Sequence, residues 1–143
     1  MDLSKEYCLM SEKATEIQNR DFEHGDYIFY KWEEHPLISD EPGNKRSFTI
    51  TDSYCDEDVP DGKLIWLPRQ DQLQDIVRMN GRYAGYYNML SCFSDFVHNI
   101  VQNVIEKDTF ASGYSYERLW LMFTMEDVFN KTWNGEDWVK ENK

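Results

Sequence analysis

The chain has 143 residues, with 27 Asp and Glu against 15 Lys and Arg, a formal charge of −12. That length suits one domain burying roughly 68–70% of its unfolded surface, and 15% aromatic with 41% hydrophobic residues excludes an intrinsically disordered chain. The acid excess argues against a surface that grips DNA, RNA or an anionic membrane, because such surfaces need surplus Lys and Arg.

In chain order, Leu3, Tyr7, Met10, Ala14 and Ile17 recur at steps of four and three. They predict one face of a single amphipathic helix, with Ser4 as its N-cap and Ser11 as an alternative start. Gly25-Asp26 signals a turn into the aromatic strand Tyr27–Trp32. His35-Pro36 through Gly43-Asn44 reads as a loop, and Ser47–Thr51 alternates as a half-buried strand. An acidic turn, Asp56–Gly62, leads to a third strand, Lys63–Leu67.

Pro68 is placed in the first turn of a helix that buries Leu73, Ile76 and Val77 and ends at Asn80-Gly81. From Tyr86 to Glu106 apolar residues fall at helical spacing over about six turns: Tyr86, Met89, Leu90, Phe93, Phe96, Val97, Ile100, Val101, Val104 and Ile105. Ser115 caps a last helix running to Lys131, with Tyr116, Leu119, Trp120, Phe123, Val128 and Phe129 inward. Asn134-Gly135 marks a turn, and Trp138 is expected to pin the tail. The predicted class is α+β: a small antiparallel three-stranded sheet with about four helices. Residues 1–143 are read as one domain, with an acidic α/β part over 1–67 and a helical part over 68–143.

Motifs for chemistry are sparse. Cys8, His24, His35, Cys55, Cys92 and His98 contain no zinc-type pair, so no metal or other cofactor is assigned. Asp56–Gly62 matches an EF-hand loop only in part: its Gly falls one position late and Leu67 stands where the twelfth-position Glu belongs. Neither a Gly-rich phosphate loop nor a nucleophile elbow occurs, and no catalytic residue is assigned. Tyr83, Tyr86 and Tyr87 lie beside Arg78 and Arg82, the most basic local spot. Aromatics with arginines stack single-stranded nucleic acid or make protein-interface hot spots. In a field of −12 the second reading fits better. Widely spaced cysteines, a mixed N-terminus and the lack of an ~18-residue apolar run predict a cytoplasmic protein with no membrane span.

The acid is unevenly placed. Residues 1–62 hold 16 acids and 6 bases, residues 63–110 five of each, and residues 111–143 six acids and four bases. The densest stretch includes Glu33, Glu34, Asp40, Glu41, Asp56, Glu57, Asp58 and Asp61, the predicted partner-binding residues. Duplex DNA carries a charge per ~1.7 Å of axis, so ten negative charges on one face would match about 17 Å of duplex.

Ile65–Gln74, Leu119–Phe123 with Met125-Glu126, and Asn130–Trp138 resemble small phage- and prophage-encoded proteins of Firmicutes. Glu12–Gln18 and Gly25–Tyr30 are similar too. The likeness covers about half the chain and transfers no catalytic assignment. It implies phage origin, and together with the small single domain and the lack of catalytic motifs it leads to the expectation of an anti-defence role of the anti-CRISPR kind. With the concentrated acid, the leading expectation is an inhibitor that occupies the basic surface of a host nucleic-acid-binding protein without touching nucleic acid itself. The alternatives are a structural or accessory phage protein working through aromatic contacts, with a homodimer as one form, and a small enzyme with a dispersed site.

Overall fold

The computed structural model describes residues 2–21, 23, 25–31, 47–49, 63–105 and 114–140. They mix helix and strand: five helices and short antiparallel strand pairings. The chain divides at Pro68–Arg69 into two compact units, Leu3–Pro68 and Arg69–Lys143, the latter joined by Met1–Asp2.

In the first unit, α1 spans Lys5–Lys13, and the Ser4 side chain accepts the Tyr7 N–H as predicted. Tyr7, Met10, Ala14 and Ile17 are buried, whereas Leu3 is exposed. The single helix expected here is two. At Ala14 the backbone turns out of the helix (φ −79°, ψ 62°), and α2 covers Thr15–Gln18. The break brings the Gln18 carboxamide to the third strand. Gln18 Oε1 accepts the Trp66 N–H at 2.8 Å, and its Nε2 donates to the carbonyls of Trp66 (3.0 Å) and Ser11 (2.9 Å).

The strands are β1 (Tyr27–Lys31), β2 (Ser47–Thr49) and β3 (Lys63–Leu67). β1 pairs antiparallel with β3, from Tyr27↔Leu67 to Lys31↔Lys63, and with β2, from Tyr27↔Thr49 to Phe29↔Ser47. Gln18 therefore occupies backbone groups of β3 that β1 leaves unpaired, supplying the partners a buried peptide needs. Trp32, Ile50 and Thr51, which the sequence reading adds to these strands, lie outside the described residues. Gly25 makes the turn into β1 at φ 88°. Buried Asp26 holds that turn by accepting the Glu23 N–H at 2.9 Å and facing Arg20 at 3.6 Å. Arg20 lies over the Trp66 ring at 4.1 Å.

In the second unit, α3 spans Gln70–Met79. It starts later than expected. Arg69 is the N-cap, because Gln72 Oε1 reaches back to the Arg69 N–H at 2.9 Å, so Pro68 precedes the helix instead of opening it. Leu73 and Val77 are buried, Ile76 is half-buried, and Asn80 with Gly81 (φ 72°) ends the helix where expected.

α4 spans Tyr86–Ile105 and α5 Tyr116–Phe129. Ser115 caps α5 through the Arg118 N–H at 3.1 Å and donates its hydroxyl to the Asp2 carboxylate. Predicted to reach Lys131, α5 stops at Phe129 because Asn130 adopts the left-handed conformation (φ 56°) and returns its N–H to the Glu126 carbonyl. Lys131 instead opens β4 (Lys131–Trp133), which pairs with β5 (Trp138–Lys140). Asn134 Oδ1 accepts the N–H groups of Glu136 and Asp137 in the connecting turn. Trp138 is buried and meets Trp133 at 5.1 Å, the pin expected of it.

Trp120, Leu121, Phe123, Thr124 and Met125 are all buried, so the middle of α5 is enclosed all round. That explains why one inward stripe misjudged it: Tyr116, in its open first turn, is 66% exposed. α3 and α4 both pack on α5. Phe93 of α4 stacks on Trp120 at 3.8 Å, and Phe123 meets both rings edge-on at 5.6 Å.

Candidate functional site

The acidic residues predicted to bind a partner, Glu33, Glu34, Asp40, Glu41, Asp56, Glu57, Asp58 and Asp61, lie outside the described residues, as do His24, His35 and Cys55. Of the other candidate metal ligands, Cys8 is buried while Cys92 and His98 are exposed on α4. Among the described residues no three His, Cys, Asp or Glu side chains are grouped to hold a metal ion.

Of the Tyr and Arg residues singled out by sequence, Arg82 and Tyr83 share one acceptor and Arg78 lies near Tyr86, at the corner where α3 turns into α4. Gly81 lets the chain leave α3. Arg82 and Tyr83 then both turn to Asp127 on α5. Arg82 Nη1 donates to Asp127 Oδ1 at 2.7 Å and to its carbonyl at 3.1 Å, and the Tyr83 hydroxyl donates to the same Oδ1 at 2.8 Å. The Asp127 side chain is only 9% exposed, and its Oδ2 is buried without a hydrogen-bond partner among the described residues. Burial, and then the Asp127 carboxylate, push the Tyr83 phenol well above its ordinary value. The corner is thus fastened to α5 by a charged, partly desolvated bridge, for which the sequence held no local signal, since Asp127 is 44 residues from Tyr83.

Outside that bridge the corner is open. Met79 and Tyr87 are more than four-fifths exposed, and Tyr86 is half exposed with the Arg78 guanidinium 5.6 Å from its ring centroid. Arg78 is also paired with Asp75 at 3.0 Å. Both arginines are therefore met by a carboxylate of their own unit. A single-stranded nucleic acid would compete with these acids for every cation at the corner, whereas a protein needs only the exposed rings and thioether.

The open surface continues along α4. Met89 and Phe93 are buried and Phe96 and Ile100 half-buried, so these four form the inner seam. Leu90 and Val101 are exposed, as Tyr86 is. The cause is geometric: the apolar arc of α4 covers about half its circumference, and among the described residues α3 and α5 pack on one side of it. Among 20 residues α4 carries one fixed charge, Asp95. α4 is thus a nearly uncharged helix that shows apolar side chains to water. The breadth of the arc was visible in the sequence; which side of it would be covered was not.

Compared with family models, curated proteins and solved structures, the chain matches none.

Proposed function

We propose that this protein works by binding another protein, and that its docking surface is the α3–α4 corner with the outward face of α4. The observation that supports this reading is the exposure of Met79, Tyr86, Tyr87, Leu90 and Val101 on one unit, beside a helix with a single fixed charge. Aromatic and Met side chains are enriched at protein interfaces, and the Arg82–Asp127–Tyr83 bridge fixes the corner before any partner arrives. Tyr87→Ser with Leu90→Glu should abolish partner binding while leaving the far-UV circular dichroism unchanged. Retained binding by that folded variant would overturn the reading.

A second reading rests on the surplus of ten acids in residues 1–62. A phage-encoded anti-defence inhibitor would use Glu33, Glu34, Asp40, Glu41, Asp56, Glu57, Asp58 and Asp61 to fill part of a basic channel in a host nucleic-acid-binding protein. Electrostatic steering would speed that encounter, and salt would weaken it. Charge reversal at Asp56, Glu57 and Asp58 should then remove inhibition; inhibition that survives it would end this reading.

A further inference from the structure

We infer that the occupant of the α4 face is a second copy of this chain, paired antiparallel about a twofold axis at Ser94. This rests on the docking reading above and names its partner.

Tyr87, Leu90, Ser94, Val97 and Val101 recur at steps of three, four, three and four. That is the 3.5-residue period by which one helix meets another along a seam. In this seam Tyr87, Leu90, Ser94 and Val101 are exposed and Val97 is half-buried. It runs beside the inner seam of Met89, Phe93, Phe96 and Ile100 that faces the unit's own core. Among the described residues α4 is therefore a helix with two seams, with α3 and α5 packed on the inner one.

The seam is also close to a palindrome. Counted from Ser94, its members stand at −7, −4, 0, +3 and +7. A twofold at Ser94 sets −7 opposite +7 and brings −4 within one residue of +3, so the patch comes close to complementing itself, as an isologous pairing needs. In the antiparallel pairing Tyr87 meets Val101 of the second copy and Leu90 meets Val97, so large residues face smaller ones. Ser94 faces Ser94, where a small side chain lets the helices close. A parallel arrangement would put Tyr87 on Tyr87 and Leu90 on Leu90, crowding one end and leaving the other thin.

Charge supports a second copy as the occupant. Two chains of −12 repel everywhere except where each is neutral. The seam has no charged member. Asp95, the one fixed charge of α4, is separated from the seam by about a third of a helical turn. His98 flanks the seam and faces the Ser91 side of the second copy in this register, so no like charges meet across it. A strongly basic partner would find nothing on this surface to pair with.

Light scattering on the purified chain over two decades of concentration tests the proposal. A monomer–dimer equilibrium is expected, shifted to monomer by Leu90→Glu with Val101→Glu and unaffected by Asp95→Asn. A strict monomer throughout overturns self-pairing, and so does a dimer that survives the double substitution. If the strict monomer still binds a foreign protein through Tyr87 and Leu90, only the partner is wrong; if it does not, the docking reading falls too. Register is read by oxidation in a Cys55→Ser, Cys92→Ser background. Ser94→Cys should crosslink the two copies at least tenfold faster than Asp95→Cys, and equal rates would overturn the antiparallel arrangement.

Discussion

At the scale of single residues, Asp127 and Tyr83 show how a buried acceptor organises a surface. Asp127 Oδ1 takes a hydrogen bond from both Arg82 and Tyr83, and the carboxylate is nine-tenths buried. Asp127→Ala leaves a phenol and a guanidinium without their acceptor, a cost of about 1–3 kcal/mol that a urea unfolding midpoint will register. Arg82 is 61% exposed, so solvent screens its share of the pair, and Arg82→Ala should cost only about 0.5 kcal/mol. The sign for Tyr83 follows from its raised folded-state pKa. The unfolded chain loses the phenol proton near the ordinary value of 10.0, while the folded chain holds it to higher pH. The contribution of Tyr83 is therefore whole below about pH 10 and drains away as pH climbs past it. Unfolding midpoints measured at rising alkaline pH should fall more steeply for the native chain than for Tyr83→Phe.

At the scale of elements, ends and breaks are set by side chains that reach the backbone. The Gln18 carboxamide makes three hydrogen bonds, to the N–H and carbonyl of Trp66 and to the Ser11 carbonyl. Gln18→Ala orphans the Trp66 peptide of β3 beside a fully buried indole, and should cost about 1–3 kcal/mol in the same urea titration. Gln18→Glu keeps the acceptor for the Trp66 N–H but loses both donor contacts, so it should be little better than alanine. Periodicity gave no hint of this clamp, because the break at Ala14 leaves the buried set Tyr7, Met10, Ala14 and Ile17 in helical sequence spacing. The hairpin β4–β5 was partly legible. Asn134-Gly135 announced its turn and Trp138 its anchor, but the left-handed Asn130 that ends α5 two residues early carried the weaker signal of an Asn that tolerates positive φ.

At the scale of the whole molecule, the two binding readings respond to salt with opposite signs. An acidic surface on a basic partner loses affinity as salt rises, because the attraction is screened. Pairing of two −12 chains through an uncharged seam gains affinity, because the screened force is repulsion. Raising sodium chloride from about 50 to 500 mM, well past the range in which the Debye length falls below ~10 Å, should increase the dimer fraction seen by light scattering. A dimer that dissociates over that range would point to charge-driven association elsewhere on the chain.

The amino-acid sequence by itself determined the mixed α and β class, the caps at Ser4 and Ser115, the C-terminal stop of α3 and the three strand positions. These depend on neighbours within a few residues, where a cap, a turn glycine or a two-residue alternation acts locally. The sequence also carried the full apolar arc of α4 and the Tyr–Arg cluster beside it. Only the tertiary structure decided which half of that arc is covered, that Arg82 and Tyr83 meet Asp127, and that Gln18 completes β3. The two hydrogen-bonded outcomes join residues 44 or more positions apart, and a linear pattern records how apolar a surface is without recording what lies against it.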